Sequence, residues 1–230
     1  MDMMRRVEPE WLDELPAADP RAQRSRRDLG RINALMGNAG IVGGELRRTL
    51  PGGFRTLAEI GAGNGTFLTQ LAGALPRGSI EAALVDRQEI VGEDILAKLA
   101  ARGWKGRAFT ADVFDWLERP SAAGFDAIVA NLFLHHFEPE RLAAMLALVA
   151  RRARVFVACE PRRSGVALAG ARSLGVIGCN DVSRHDALVS VRAGFAGGEI
   201  SALWPRSGEW SLKEEARGLF SHLFVARRTS

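Results

Sequence analysis

The stretch Leu57-Ala-Glu-Ile-Gly61-Ala-Gly63-Asn-Gly65-Thr66 decides the fold. An apolar segment runs directly into three glycines, each separated from the next by one residue. Glycine adopts positive φ without strain and has no side chain to hold a ligand away from the backbone. The stretch therefore predicts a strand, a tight turn that approaches a ligand, and a helix that begins at Thr66.

Strand and helix patterns alternate on both sides of this turn. The predicted strands are Thr56–Ile60, Ile80–Val85, Ala108–Thr110, Asp126–Ala130 and Arg154–Ala158, and the helices between them are Thr66–Leu75, Arg87–Ala101 and Pro139–Arg151. Short apolar strands that alternate with amphipathic helices favour an α/β fold with a doubly wound, mostly parallel sheet. Two further segments, Glu199–Trp204 and Leu219–Ala226, are candidate final strands on either side of a polar loop over Pro205–Glu215.

Two regions are predicted along the chain: an N-terminal arm and helical cap over residues 1–54, and an α/β domain over residues 55–230. The first twenty residues mix acidic residues with three prolines, which indicates an extended or poorly ordered arm. Helical spacing in Ser25–Met36 and Ile41–Leu50 predicts two cap helices. The Gly-, Ala- and Arg-rich residues 160–182 show no clear strand and are expected to form a lid-like insertion.

Composition indicates an ordinary globular protein. Of the 230 residues, 47% are hydrophobic and 25% are charged, which suits one α/β domain with an extension. The two cysteines, Cys159 and Cys179, belong to no Cys/His cluster, so they favour reduced thiols and argue against zinc. No signal peptide or membrane span is recognised, and a cytoplasmic location is expected.

The charge pattern gives no reason to expect a nucleic-acid partner. The formal net charge is only +4, and the arginine-rich runs 21–31 and 151–154 lie mostly at the ends of predicted elements. A nucleic-acid footprint would gather such residues on one face, interleaved with aromatic side chains. Because no carboxylate cluster has the spacing of a Mg²⁺ or Zn²⁺ site, no metal is expected either.

The pattern Glu-x-Gly-x-Gly-x-Gly resembles the first motif of class I S-adenosylmethionine-dependent methyltransferases. The resemblance implies a seven-stranded Rossmann-like sheet with an N-terminal helical cap. It also implies that the turn cradles the methionine part of S-adenosylmethionine, with S-adenosylhomocysteine as the product. The cofactor-binding residues implied here are Glu59, Gly61, Ala62, Gly63 and Gly65. Dinucleotide-binding folds favour Gly-x-Gly-x-x-Gly instead.

Five further positions follow in the family's order. Asp86 and then Arg87 lie at the end of the second strand, where the family's acidic residue accepts hydrogen bonds from the ribose hydroxyls. Asp112 resembles the acid that pairs with the adenine amine, and Val113 offers a backbone amide or an apolar wall. The same Asp112 also suits a helix cap, and both roles are compatible. Asn131 ends the fourth strand, which in this family lies beside the sulfonium.

The residues after Asn131 indicate the kind of methyl acceptor. Methyltransferases of amides and exocyclic base amines typically carry Asn/Asp-Pro-Pro-aromatic here, whereas this chain has Asn131-Leu-Phe-Leu-His-His. It looks like the small-molecule branch of the family. That resemblance implies a small, aromatic or polyketide-like acceptor, methylated on oxygen or carbon.

Catalysis in this family rests mainly on holding the acceptor and the methyl group in line. A hydroxyl acceptor would gain from a general base. We expect His185 or His136 to act as this general base, and Arg184 to bind an acidic group of the substrate. The alternatives are that His185 is solvated in a polar first helical turn and that His136 packs or caps locally.

The sequence is also compatible with three other functions. The first is a non-catalytic domain that keeps S-adenosylmethionine binding. The second is an NAD(P)-dependent oxidoreductase, against which the glycine spacing and the absence of tyrosine argue. The third is an RNA or protein methyltransferase, for which a basic face beside the cleft would be needed. The oligomeric state is left undetermined.

Overall fold

A computed structural model describes residues 3–119, 124–205 and 208–229. In chain order its elements are α1 Trp11–Glu14, α2 Pro20–Met36, α3 Asn38–Thr49, β1 Thr56–Ile60, α4 Thr66–Ala74, β2 Ile80–Asp86, α5 Glu93–Ala100, β3 Trp104–Thr110, α6 Val113–Glu118, β4 Phe125–Asn131, the 3₁₀ turn Leu134–His136, α7 Pro139–Arg152, β5 Ala153–Pro161, α8 Gly165–Ser173, α9 Asp181–Ala193, α10 Glu199–Leu203, β6 Trp210–Arg217 and β7 Ser221–Arg228.

The seven strands form one sheet in the order β3-β2-β1-β4-β5-β7-β6. Strands β1 to β5 are parallel, and β7 runs antiparallel to both β5 and β6. The expectation of a doubly wound, mostly parallel sheet is therefore confirmed. The chain winds outward from β1 to β3 and then returns to β4 beside β1, so the reversal point lies between β1 and β4. Ligands bind at such a point, beyond the carboxyl ends of the strands.

Helices cover both faces of the sheet. Alternate strand residues point to opposite faces, so Ile128 packs with Met145 and Phe156 on one side, while Val129 packs with Leu57 on the other. Helices α6, α7 and α10 cover the first face, and α3, α4 and α5 cover the second. Burial on both faces explains the nearly continuous apolar runs of the central strands.

The prediction for the last third of the chain is wrong in part. Glu199–Trp204 was expected to be a strand, but Glu199–Leu203 is helix α10. The Glu214 carboxylate accepts hydrogen bonds from the N–H groups of Ile200 and Ser201, which satisfies the helix start from a distant strand. Strand β6 lies largely within the predicted polar loop, because this edge strand is rich in charged residues and lacks apolar alternation.

Smaller differences concern element ends. Helix α5 begins at Glu93 and not at Arg87, and β3 extends back to Trp104. Helix α9 is capped by Asn180, whose Oδ1 accepts from the Ser183 N–H at 2.9 Å. Within the predicted insertion, residues 165–173 form helix α8.

The N-terminal arm is extended but firmly attached. Arg5 Nε donates to the Ala193 carbonyl oxygen at 2.8 Å. The backbone N–H groups of Trp11 and Leu12 donate to the two oxygens of Asp186, and the Trp11 ring stacks on His185. These partners are more than 100 residues away in sequence, so composition alone does not reveal the attachment.

None of the helices described is long and apolar enough to cross a membrane.

Candidate active site

A cavity of about 720 Å³ lies at the carboxyl ends of β1, β2 and β4. Its floor is the glycine turn together with the ends of these strands. Its roof is formed by the N-terminal arm and by α2, which contribute Val7, Glu8, Pro9, Glu10, Leu12, Asp13, Arg26, Leu29, Gly30 and Asn33. The cavity therefore lies at the reversal point of the sheet.

The glycine turn adopts a backbone that few other residues tolerate. Gly61, Gly63 and Gly65 have φ values of 68°, 53° and 78°. A Cβ at Gly61 would lie 2.2 Å from the Phe133 ring, whereas one at Gly63 would meet nothing within 4 Å. Gly61 thus permits close packing, and Gly63 opens the turn to the cavity.

Asp86 fixes the turn against β2. Its Oδ2 accepts from the Gly63 N–H at 2.8 Å, and its Oδ1 accepts from the Gln88 N–H at 2.9 Å. The Ala62 N–H donates to the Val85 carbonyl at 3.0 Å. Arg87 also lines the cavity, and its guanidinium pairs with Asp13 of the arm at 3.2 Å.

Asp112 caps a helix at the cavity wall. Its Oδ1 accepts from the Phe114 N–H at 2.8 Å, which satisfies the start of α6. Both Asp112 and Val113 line the cavity. In the structure as described, Asp112 Oδ2 accepts no hydrogen bond, so the capping role leaves one oxygen for a ligand.

Glu59 is a buried carboxyl group in the cavity floor. Its side chain is 1% exposed, and its Oε2 has no hydrogen-bond partner among the described residues. Burial, and secondarily the negative charge of Asp86, raises the pKa of Glu59 well above its ordinary value. A cationic group brought to this oxygen would reverse that effect.

Asn131 belongs to a buried network of amides. Its Nδ2 donates to Asn33 Oδ1 at 3.0 Å, and its Oδ1 accepts from Asn38 Nδ2 at 2.8 Å. The network joins the end of β4 to α2 and α3. Neither Asn33 nor Asn38 was predicted as a site residue. Asn33 lies within the predicted cap helix Ser25–Met36, where a polar amide among apolar positions is an available signal, whereas Asn38 lies between the two predicted helices.

His136 lies in an aromatic part of the cavity wall. Its ring centroid is 6.4 Å from that of Phe133, which packs against Phe137 at 5.1 Å. Burial, and then the positive charge of His135, lowers the pKa of His136. Asp13 Oδ2 is 3.6 Å from His136 Nδ1. The ring is therefore neutral near pH 7 and has a carboxylate beside it.

His135 is held between two carboxylates that the sequence did not connect. Its Nδ1 is 2.8 Å from Glu160 Oε2, and its Nε2 is 3.2 Å from Glu10 Oε1. Although burial opposes the charged ring, the hydrogen bonds of Glu10 and Glu160 raise the pKa of His135 to about 9. Burial also opposes the charge of Glu10, yet the hydrogen bond to His135 and the charges of both histidines lower the pKa of Glu10 to about 2. Ser190 Oγ also donates to Glu10.

Glu10, His135 and His136 have ligand atoms within 4.8 Å of one another, which is close enough for a metal ion. Both nitrogens of His135 already face carboxylates in a closed set of hydrogen bonds. The absence of a metal stays a prediction.

Residues 57–155 match the family model described as a methyltransferase domain. This part of the chain is a methyltransferase domain. The matched residues contain the glycine turn and Asp86, Asp112 and Asn131, all of which line the cavity. The cofactor predicted from the sequence is thereby confirmed.

Solved methyltransferase structures share this fold. The plantazolicin methyltransferase BpumL, in complex with S-adenosylhomocysteine, is 13% identical with a TM-score of 0.67, over 92% of this chain and 91% of that one. An O-methyltransferase family protein from Burkholderia thailandensis is 18% identical with a TM-score of 0.60, over 93% of this chain and 61% of that one. The mitomycin 7-O-methyltransferase MmcR is 20% identical with a TM-score of 0.62, over 95% of this chain and 60% of that one. At these identities the likeness shows the fold. A search of curated proteins finds no match.

The cavity of the methyltransferase domain fits S-adenosylmethionine. The unpartnered Glu59 oxygen suits the ammonium group of the cofactor, and the space at Gly63 admits a ligand to the turn. Asp86 at the end of β2 and Asp112 line the same cavity. The binding roles of the individual residues, including Ala62, Gly65, Arg87 and Val113, stay predictions.

The structure separates the two candidate histidines. His136 lines the cavity, whereas His185 does not. His185 stacks on Trp11 at 3.8 Å between ring centroids, and its Nδ1 lies 2.9 Å from Asp186 Oδ1. Arg184 is exposed near Gly175 and is likewise outside the cavity lining. Contact of His185 or Arg184 with a substrate in this cavity would require movement of the arm or of α9.

Proposed function

We propose that this chain transfers the methyl group of S-adenosylmethionine to a small aromatic or polyketide-like acceptor, on an oxygen or carbon atom. One observation carries the proposal: a neutral histidine and two phenylalanines line the same cavity as the glycine turn. A flat acceptor packed on this wall would lie beside both the cofactor and a general base.

The wall suits an aromatic ring. Phe133 and Phe137 meet edge to face, and aromatic rings add stacking energy to the area that they bury. Leu12, Leu29 and Val7 add apolar surface from the roof. The names of the structural relatives point the same way, since they specify plantazolicin and mitomycin, both small molecules.

S-adenosylmethionine supplies, when bound, a methyl group on a positively charged sulfur. The protein holds the acceptor in line with that group and excludes water, and such positioning accounts for much of the rate gain in transfers of this kind. The arm residues over the cavity contribute to the exclusion of water. With a hydroxyl acceptor, Nε2 of His136 takes the proton, and Asp13 stabilises the imidazolium that results.

The test begins with calorimetric titration of the full chain with S-adenosylhomocysteine and, separately, with NADPH. A panel of phenols and hydroxylated polyketides is then screened with methyl-labelled S-adenosylmethionine. On any acceptor found, His136→Gln should lower kcat about 10²- to 10⁴-fold with little change in cofactor affinity. The wild-type rate should rise with pH through an acid limb below pH 6.5, and that limb should vanish in the variant.

His185→Gln is the matched control, since it changes the other candidate histidine outside the cavity. A large loss in His185→Gln with none in His136→Gln would transfer the role of base to His185. Cofactor binding without turnover on any acceptor, RNA or protein would favour a non-catalytic binding domain. Binding of NADPH alone would contradict the proposal.

A further inference from the structure

The side-chain amide of Asn33 is held in one orientation by its neighbours. Its Oδ1 accepts from Asn131 Nδ2 at 3.0 Å and from Asn38 Nδ2 at 3.2 Å. Asn38 is fixed in turn, because its Oδ1 accepts from Ser221 Oγ at 2.8 Å. Two donors therefore occupy the oxygen end of Asn33 and direct its NH₂ end away from the network.

That NH₂ end has no partner in the part of the chain that the structure describes. Asn33 lines the cavity while its side chain is only 9% exposed. A nearly buried amide with two free N–H donors is unfavourable unless an acceptor completes it. The acceptor has to come from the cavity, as water or as an oxygen or other lone-pair atom of a ligand that displaces it.

Glu59 lies on the same face of the sheet as this network. Strand register pairs Glu59 with Val129, and Asn131 is two residues beyond Val129, so Glu59 and Asn131 point to the same side. The unpartnered Glu59 Oε2 therefore shares this side of the cavity with the free Asn33 donor. A carboxyl oxygen and an amide donor on the same side of one cavity match a ligand group that carries both an ammonium and a carboxylate.

We propose that Asn33 binds the carboxylate of the methionyl end of S-adenosylmethionine, while Glu59 accepts a hydrogen bond from its ammonium group. The amide network is then a device that preorganises the Asn33 donor before the cofactor arrives. The inference rests on the cofactor assignment and is independent of the acceptor.

Arg26 is the competing partner for the carboxylate, because its guanidinium also lines the cavity. Its NH1 donates to the Ala17 carbonyl at 2.9 Å, and its NH2 donates to Gln88 Oε1 at 3.1 Å. These contacts tie Arg26 to the arm and to the loop after β2, near the ribose end of the site. It therefore serves as the control position.

The experiment compares two ligands on three forms of the full chain by calorimetry. S-adenosylhomocysteine carries the whole amino-acid group, and its decarboxylated analogue keeps the amine and lacks the carboxylate. Asn33→Asp is the decisive variant, because it keeps the oxygen that accepts from Asn38 and Asn131 and replaces only the NH₂ with an oxygen. We expect Asn33→Asp to lower S-adenosylhomocysteine affinity at least tenfold and to leave affinity for the analogue within about twofold. Arg26→Gln should leave the ratio of the two affinities unchanged.

Equal losses for both ligands in Asn33→Asp, or no loss for either, would overturn the assignment. The assignment would also be overturned if the ratio of the two affinities changed in Arg26→Gln and not in Asn33→Asp. Asn33→Ala, measured on the same two ligands, replaces Asn33→Asp if that variant does not give the wild-type circular dichroism spectrum. Failure of the wild-type chain to bind S-adenosylhomocysteine would instead contradict the cofactor assignment.

Discussion

At the scale of single residues, Gly61 and Gly63 have the same backbone conformation and different surroundings. Both are in the left-handed region, so any side chain at either position is strained by about 1–2 kcal/mol. The space beyond them differs, because Phe133 fills it at Gly61 and the cavity occupies it at Gly63. One position governs packing, and the other governs access to the turn.

Gly61→Ala should mainly destabilise the fold, and Gly63→Ala should mainly weaken cofactor binding. The first change combines strain with a clash against the Phe133 ring and should cost about 3 kcal/mol of unfolding free energy. The second should cost about 1 kcal/mol of stability while its methyl group enters the cavity. Urea unfolding and titration with S-adenosylhomocysteine would measure the two effects. Equal stability losses in both variants would contradict the distinction.

Glu59→Gln should raise stability while weakening cofactor binding. Because the pKa of Glu59 is raised in the folded protein, folding becomes less favourable as pH rises above the ordinary glutamate value near 4.5. Glutamine does not ionise, so the variant escapes this loss. Its advantage in unfolding free energy should be small below pH 4 and grow toward neutral pH. Thermal unfolding from pH 4 to pH 8, with and without S-adenosylhomocysteine, would show both effects.

Sequence spacing sufficed for the residues that follow a strand directly. Glu59, Gly63, Asp86, Asp112 and Asn131 line one cavity because parallel strands bring their carboxyl ends together. Residues that act through distant partners were not predictable in this way. The amide network with Asn33 and the contact of Glu10 with His135 join positions up to 125 residues apart, and no local pattern encodes such pairs.

At the scale of elements, the arm and the sheet are joined by one buried ion pair. Glu10 from the arm meets His135, whose other ring nitrogen faces Glu160 at the end of β5. Arg5 adds a second contact, since its NH2 donates to the Phe137 carbonyl oxygen at 2.9 Å. The arm thus covers the cavity through specific polar contacts.

Glu10→Gln should destabilise the protein at neutral pH and do so less in alkali. The raised pKa of His135 means that the paired imidazolium stabilises the fold fully below about pH 6.5 and that this contribution is lost as pH rises through about 9. We expect a cost of about 3 kcal/mol near pH 6, typical for a broken buried pair, that shrinks by pH 9.5. Urea unfolding of the wild type and of Glu10→Gln from pH 6 to pH 9.5 would measure this difference in unfolding free energy. A cost independent of pH would argue against a charged His135.

Element prediction succeeded where burial dictates the pattern. Strands β1, β2, β4 and β5 are buried on both faces and read as apolar runs, so their existence was predictable. The edge strand β3 has only Trp104 buried and was placed too short. Strand β6 has one neighbour and a charged surface, so its sequence resembles a loop. Helix α10 depends on Glu214 to satisfy its first N–H groups, and that partner is 14 residues away.

At the scale of the whole molecule, the cavity is built from the arm, a cap helix and three strands. A ligand that binds these parts together favours the folded state by mass action. S-adenosylhomocysteine at 100 times its Kd should therefore add about 2.7 kcal/mol to the unfolding free energy. That corresponds to a Tm increase of roughly 5–10 °C for a chain of this size. Differential scanning fluorimetry with NADPH as the matched ligand should show no such increase.

The sequence predicted the overall architecture in more detail than it predicted the methyl acceptor. The alternation of strands and helices is a property of the whole chain, whereas the acceptor side of the cavity is assembled from the arm, α2 and the loop after β4. The shape of such a composite surface depends on how distant segments pack. A local sequence motif therefore predicts the cofactor, but it does not predict the methyl acceptor.

The position of β7 between β5 and β6 has a consequence for the order of folding. During synthesis β6 leaves the ribosome before β7, yet its partner in the sheet is β7 alone. Until residues 221–228 emerge, the outer edge of β5 is an unpaired apolar strand, the kind of edge at which nascent chains associate. Pairing of β7 closes that edge and brings Ser221 to Asn38. The same late event thus ends the period of aggregation risk and completes the support of the cofactor pocket.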